Sequence, residues 1–252
     1  MTAILDTLYP PRCPSCKALG AGLFCQDCWA KLIFIQDPCC FICGEPLEVG
    51  YREDILCPAC ACGGVYSFDR ALSVFVYNRT IARAIHRFKF KHMTFLSKFF
   101  ANFLLEKLRS LKSTVNFIIP VPIHRERLMW RGYNQALLLA KDVSEKSLIS
   151  CIPNLLIKSR HTLPQRILST RKRKSNLRMA FEINPSHLET IRDKNIMIVD
   201  DIFTTGTTVN ECAKVLKRNG VRKVFVLTIA KTMLTRGTKL ARMVRRSSPP
   251  RN

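Results

Sequence analysis

Acidic residues are scarce in this chain: 18 Asp and Glu stand against 41 Lys and Arg in 252 residues, for a formal net charge of +23. Long apolar runs are missing too, and without some eighteen consecutive apolar residues a bilayer-spanning helix is not expected. The opening MTAILDTLYPPRC has neither the basic start nor the apolar stretch of a secretory leader, so a cytoplasmic location is expected. Neither the Gly-Lys-Ser/Thr of a nucleotide P-loop nor a Gly-x-Gly-x-x-Gly fingerprint occurs, which removes two common routes to nucleotide binding. Cysteine is nearly absent after Gly63, where only Cys151 and Cys212 remain of 12.

What is present is unevenly spread. Residues 1–62 hold four Lys/Arg against seven Asp/Glu, whereas residues 63–252 hold 37 against 11, a balance of +26. Two windows contain no acid: 70–105, with Arg79, Arg83, Arg87, Lys89, Lys91 and Lys98, and 146–181, with Arg171, Lys172, Arg173 and Lys174 in a row. A surface of this sign attracts polyanions such as nucleic acid or phosphate-rich ligands, although net charge alone equally describes a solvated basic face.

The N-terminal cysteines fall into four two-residue knuckles: Cys13 with Cys16, Cys25 with Cys28, Cys40 with Cys43, and Cys57 with Cys60. In a reducing compartment clustered thiols read as metal ligands before disulfides. Each knuckle aims two sulfurs at one tetrahedral ion, so eight thiolates make two structural zinc sites. Sequential pairing (13/16/25/28 and 40/43/57/60) is the simpler ribbon, and the spacing also admits a cross-braced exchange. Cys39 and Cys62 are left over as alternatives to Cys40 and Cys60, with Cys40 favoured by the two-residue spacing.

Downstream the pattern becomes α/β. Residues 1–9 carry Ile4, Leu5 and Leu8 at helical spacing ahead of Pro10. Ala71–Tyr77 reads as a strand, and RTIARAIHRFKFKH places Ile81, Ile85 and Phe88 on one stripe of a basic amphipathic helix. His86 on that helix reads as a surface or groove residue rather than a ligand. Phe95–Leu111 reads as a second helix, Val115–Val121 as a buried strand closed by Pro120 and Pro122, and Val224–Ile229 as a last strand. The stretch from Lys231 onward, with seven basic residues and no acid, is expected to be disordered.

The most informative stretch is NIMIVDDIFTTGTT, from Asn195 to Thr208. Ile196–Val199 reads as a buried strand, and Val209–Asn219 before Gly220 as a helix with a glycine after its end. Between them lie Asp200, Asp201 and the small residues Thr204, Thr205, Gly206, Thr207 and Thr208. Glycine permits a left-handed turn, so backbone N–H groups can converge on a phosphate at the helix start. The two carboxylates suit vicinal hydroxyls rather than a bare phosphate. Together they outline a ribose 5-phosphate site. Both Asp side chains are expected to enter the crevice at the strand end and to serve the ligand rather than the fold.

VDDIFTTGTT closely resembles the phosphoribosyl-diphosphate (PRPP) signature of type I phosphoribosyltransferases, in which paired acids hold the ribose hydroxyls and the loop holds the 5′-phosphate. A second resemblance, to the ComF competence family, is carried by Pro120, Pro122, His124, Arg127, Arg131, Gly132, Asn134 and Gln135 in PVPIHRERLMWRGYNQALLLA. It continues through Arg160, Thr162, Gln165, Leu168, Arg173, Asn176 and Phe181, and with the cysteine segment it covers nearly the whole chain. Thr170 and Ser175 depart from positions that are commonly basic in that family, and the tail is particular to this chain.

The resemblance implies a mainly parallel α/β sheet of the type I phosphoribosyltransferase kind, with a small N-terminal double zinc ribbon. The expected division is 1–63 for the ribbon, 64–232 for the phosphoribosyltransferase-like domain and 233–252 for a basic tail. It further implies PRPP held by the 200–208 stretch, Arg127 and Arg131 on its diphosphate, Mg²⁺ carried with the PRPP, and a flap over the site bearing Arg160, Gln165, Arg173 and Asn176. No catalytic base is assignable, and nothing announces an acceptor base. The biological role it implies is the handling of single-stranded DNA in natural transformation, alongside a helicase. The alternative is active transfer of phosphoribosyl to an unidentified acceptor. Phe88, Phe90, Phe95, Trp130 and Tyr133 lie among basic residues and are candidates for stacking on bases.

Overall fold

The computed structural model describes residues 12–19, 22–48, 55–63, 66–158 and 180–233. The expected helix at 1–9, the flap residues Arg160, Gln165, Arg173 and Asn176, the basic run 171–174 and the tail beyond residue 233 lie outside the described residues.

Four parallel strands form the central sheet in the order β1 (Arg70–Val76), β6 (Lys223–Lys231), β5 (Asn195–Phe203), β2 (Phe117–Pro120). The middle strands are apolar on both faces because helices cover both, as parallel sheets require. On one face pack α3 (Arg79–Phe90), α4 (Leu96–Leu108) and α6 (Gln135–Ser147), against Met197 and Val199 of β5. On the other lies α8 (Thr207–Arg218), against Ile196 and Ile198, together with the antiparallel pair β3 (Leu156–Lys158) and β4 (Phe181–Ile183). Among the described residues no helix is long and apolar enough to cross a membrane.

Local sequence explains these elements. Asn78 caps α3, its side-chain oxygen accepting from Thr80 N and Ile81 N at 3.1 Å each. The expected stripe of Ile81, Ile85 and Phe88 is 0–1% exposed, burial that stabilises by roughly 1.5–3 kcal/mol per side chain. α8 buries Val209, Cys212, Ala213 and Leu216, and ends where Gly220 turns with φ 85°. Two expectations on the sheet need correction. β5 does not end at Val199 but runs through both aspartates to Phe203, and β6 runs on to Lys231, so that lysine belongs to the sheet and not to a solvated tail.

The cysteine segment is built into this core. Ile35 N donates to Val74 O at 2.8 Å and Val76 N to Ile33 O at 2.8 Å, so residues 33–35 pair along the free side of β1, and Ala71 N reaches Ile42 O at 2.7 Å. Gly44 turns with φ 66° against Ala71, whose carbonyl oxygen would sit 2.7 Å from any Cβ there.

Candidate functional site

The carboxyl ends of β2 and β5 lie side by side, Pro120 opposite Val199, which brings the segment after β2 to the aspartates. That segment forms α5 (Arg125–Arg131), capped by His124 and ended by Gly132 at φ 80°. Because β5 continues as a strand, its period of two sends Asp200 and Asp201 to opposite faces rather than into one crevice. Each carboxylate feels the charge of a lysine from another element.

Asp201 is 4% exposed. One carboxylate oxygen accepts from Lys89 Nζ of α3 at 2.8 Å, and the other from Gln135 Nε2 of α6 at 2.8 Å. Arg131 in turn donates to Gln135 Oε1, and its guanidinium lies 4.8 Å from the centre of the Phe90 ring. Asp201 is therefore tied to the fold as well as available to a ligand: a carboxylate offers about four acceptor positions, and two are used here.

Asp200 lies near enough to Lys158 of β3 and Cys212 of α8 for its charge to raise the proton affinity of both. Its own carboxylate accepts from Asp201 N at 2.8 Å. Burial, reinforced by the charge of Asp201 and opposed by Lys89, pushes its carboxyl up to about 7. Burial and the neighbouring Arg127 push the Lys158 ammonium down to about 8, and burial also lowers Arg127. Arg127 thus acts on Lys158 through its charge, and Arg131 is linked through Gln135 to Asp201.

Beyond Phe203 the chain turns through Thr204–Gly206 into α8. Gly206 has φ 71°, and a Cβ there would meet the Phe203 ring at 2.6 Å and the Tyr66 ring at 3.0 Å, so only glycine fits. It occupies the position before α8 without a side-chain cap, which leaves the small loop and the helix start suited to an anion. Thr205 Oγ1 and Thr207 Oγ1 lie 2.7 Å apart, Tyr66 Oη donates to Thr205 O at 3.3 Å, and Thr232 Oγ1 donates to Thr204 O at 3.2 Å. Sequence reasoning missed Lys89, Lys158, Tyr66 and Thr232, which converge only through tertiary contacts; Gln135 was visible only by resemblance.

The eight cysteines of the knuckles assemble as Cys13/Cys16/Cys25/Cys28 and Cys40/Cys43/Cys57/Cys60, each group with its sulfurs within 4.8 Å of one another. A tetrahedral ion with Zn–S near 2.3 Å sets sulfurs about 3.8 Å apart, and the cross-knuckle pairs Cys16–Cys25 at 3.5 Å and Cys43–Cys57 at 3.6 Å fit that spacing. The pairing is sequential. Cys39 instead donates to Gln36 O at 3.0 Å, with burial and Asp37 pushing its thiol up to about 11, and Cys62 is exposed. Both groups fit structural zinc. The aromatics divide as well: Phe88 is fully buried and its carbonyl accepts from Tyr133 Oη, while Trp130 is 74% and Phe95 51% exposed.

Comparison with known proteins agrees with this construction. A double zinc ribbon domain model matches residues 4–61, and a phosphoribosyl transferase domain model matches residues 136–248. Competence protein F of Haemophilus influenzae is 31% identical over 232 residues, 87% of this chain and 96% of that protein. DNA utilization protein YhgH of Escherichia coli is 27% identical, over 77% of this chain and 97% of that protein. Competence protein ComFC of Streptococcus pneumoniae is 27% identical, over 87% and 80% respectively. On this similarity, and with a double zinc ribbon set on a mainly parallel phosphoribosyltransferase-like sheet, the chain belongs to the ComF/ComFC competence protein family.

Proposed function

We propose that the protein binds PRPP at the edge formed by β5, the 204–208 loop and α5, and that it acts in the uptake or handling of single-stranded DNA. The observation that carries the first half is the succession on β5 of two carboxylates followed by a glycine turn into an uncapped helix, flanked by Arg127, Lys158, Lys89 and Arg131. In this reading Thr204–Thr208 hold the 5′-phosphate, the ribose lies across the edge of β5 so that Asp200 meets one hydroxyl from one face of the strand and Asp201 the other from the opposite face, and Arg127 and Arg131 face the diphosphate. Mg²⁺ would arrive with the PRPP, held by its diphosphate and ribose oxygens. The reading keeps residues 1–63 as the ribbon, 64–232 as the phosphoribosyl unit and 233–252 as the tail.

The second half draws on the names of the competence and DNA-utilization relatives and on one surface. A cavity of about 390 Å³ between the first ribbon and α3 is lined by Lys17, Arg83, His86 and Arg87 with Ser15 and Cys16. From it an aromatic path leads outward: His86 lies 4.8 Å from Phe90, and Phe90 5.7 Å from the exposed Trp130. Cations beside stackable rings suit single strands without base selection. A competence helicase would be the natural partner in that process.

Active transfer is the second reading, favoured by the cluster of Arg127 and Lys158 beside Asp200, which suits a departing pyrophosphate. Calorimetry with Mg-PRPP, followed by pyrophosphate assays across a panel of bases and oligonucleotides, separates the two. Release dependent on one acceptor establishes a transferase, binding without release supports the accessory role, and no binding overturns the PRPP site. Single-stranded DNA affinity should fall by orders of magnitude between about 50 and 200 mM salt; an unchanged affinity overturns the phosphate-contact surface.

A further inference from the structure

The second cysteine cluster lies closer to the 204–208 loop than a mere N-terminal appendage would. Cys40, Cys43, Cys57 and Cys60 share one apolar cluster with Phe68, Tyr66 and Phe203. Tyr66 stacks on Phe68 with ring centres 4.5 Å apart, and Phe68 meets Phe203 edge-on at 5.9 Å. Phe203 is the last residue of β5, and its ring with that of Tyr66 forms the wall against which Gly206 turns. The Tyr66 hydroxyl then closes on Thr205 O. A second link runs beside the first. Glu45, two residues after the ligand Cys43, pairs with Lys231 Nζ at 3.3 Å, both side chains 0% exposed, and Lys231 Nζ sits 4.1 Å from the centre of the Phe203 ring. The next residue, Thr232, donates to Phe203 O and Thr204 O.

A fully buried lysine and glutamate are costly to desolvate and are retained where both ends are held in one geometry. Here one end is held by the metal knuckle and the other by the sheet. A four-thiolate zinc site carries net negative charge, which adds to the attraction on Lys231.

We propose that Tyr66, Glu45 and Lys231 are positioning residues that couple the second zinc cluster to the 204–208 loop, so that a filled cluster holds the loop in its anion-binding shape. The proposal rests on the phosphoribosyl reading only for the identity of the anion; the ordering of the loop is independent of it. Among the described residues the first cluster has no comparable connection: it packs on α3 and α4 through Arg87, which donates to Cys13 O at 2.8 Å, and through Phe24 on Phe99.

The test uses the full chain with Tyr66→Phe, Cys57→Ser and Cys25→Ser, reading zinc content, amide hydrogen exchange at residues 203–208, and affinity for inorganic phosphate and Mg-PRPP. Tyr66→Phe keeps the ring and removes one neutral hydrogen bond. It should retain both zinc equivalents, raise exchange across the loop by about two- to tenfold and weaken phosphate by a similar factor. Cys57→Ser should lose one zinc and loosen the loop further, whereas Cys25→Ser should lose the other zinc and leave loop exchange unchanged. Loop exchange that is identical in wild type and Tyr66→Phe, or equally raised by Cys25→Ser, overturns the coupling. Exchange that responds as described in a protein that binds neither phosphate nor PRPP upholds the coupling and overturns the ligand reading instead.

Discussion

The two faces of the central sheet hold matching parts in different states of commitment. One face has Asp201, Lys89, Gln135 and the first cysteine cluster; the other has Asp200, Lys158, Cys212 and the second. On the first face the carboxylate is paired directly with Lys89, while its cysteine cluster is half in the core, with Cys13 and Cys28 buried, Cys25 half-buried and Cys16 exposed. On the second the carboxylate keeps an elevated proton affinity, while all four cysteines are buried among sheet residues. One face pairs its acid and leaves part of its cysteine cluster open to solvent, and the other leaves its acid with a raised proton affinity and encloses its whole cluster.

The largest test of this contrast is at the metals. Removing one thiolate from either cluster should lose that zinc and part of the folding free energy it supplies, on the order of several kcal/mol. Cys57→Ser should lower the melting temperature of the whole chain more than Cys25→Ser, because Cys57 is 1% exposed and all four cysteines of its cluster are buried, whereas Cys25 is half-buried beside the exposed Cys16. Metal analysis with paired melting curves decides it, and equal losses would erase the distinction.

Asp201→Asn comes next. It leaves Lys89 without its counter-ion and turns one acceptor toward Gln135 into a competing donor, so the protein without ligand should lose about 2–3 kcal/mol. Adding Lys89→Met to Asp201→Asn should recover part of that, and strict additivity of the two losses would show that the pair is not coupled.

Asp200→Asn should act in the opposite direction. A carboxyl whose affinity for its proton is higher folded than unfolded contributes stability that is complete below its unfolded value of 3.8 and is lost as pH rises through about 7. Above pH 7 the neutral amide should therefore stabilise the unliganded protein by about 1 kcal/mol, a rise of about 2–4 °C, and the gain should vanish near pH 4. PRPP affinity should fall by about ten- to a hundredfold in the same variant, since a charged acceptor is lost. A melting curve that falls with this substitution would refute the contrast between the faces. The smallest effect on stability is expected from Trp130→Ala, within about 0.5 kcal/mol for so exposed a side chain, while single-stranded DNA affinity drops by up to about 1–3 kcal/mol.

Local periodicity made much of this legible. Ile81, Ile85 and Phe88 announced α3, the four knuckles announced two clusters while leaving sequential and cross-braced pairing both open, and the order of strand, acids, glycine turn and helix announced the loop. The reading of Asp200 and Asp201 as a pair facing one crevice failed on a boundary: with β5 ended at Val199 the two seemed to share a loop, and with β5 continued to Phe203 they part. The expectation that Asp201 serves only a ligand failed because Lys89 and Gln135 come from other helices and no local pattern brings them there. Lys231 misled for the same reason. Among tail bases it looks solvated, and only Glu45, from the far end of the chain, shows why it is buried.

The hydrogen bonds from residues 33–35 to β1 have a consequence for the fate of metal-free chains. β1 is an outer strand, and an outer strand with open N–H and C=O groups is a template for pairing with another molecule. The cysteine segment occupies that side, through Ile35 to Val74 and Ile33 to Val76. A chain starved of zinc is therefore expected to give up its edge protection together with its ribbon and to self-associate along β1, an outcome that light scattering followed beside helical circular dichroism during zinc removal would check.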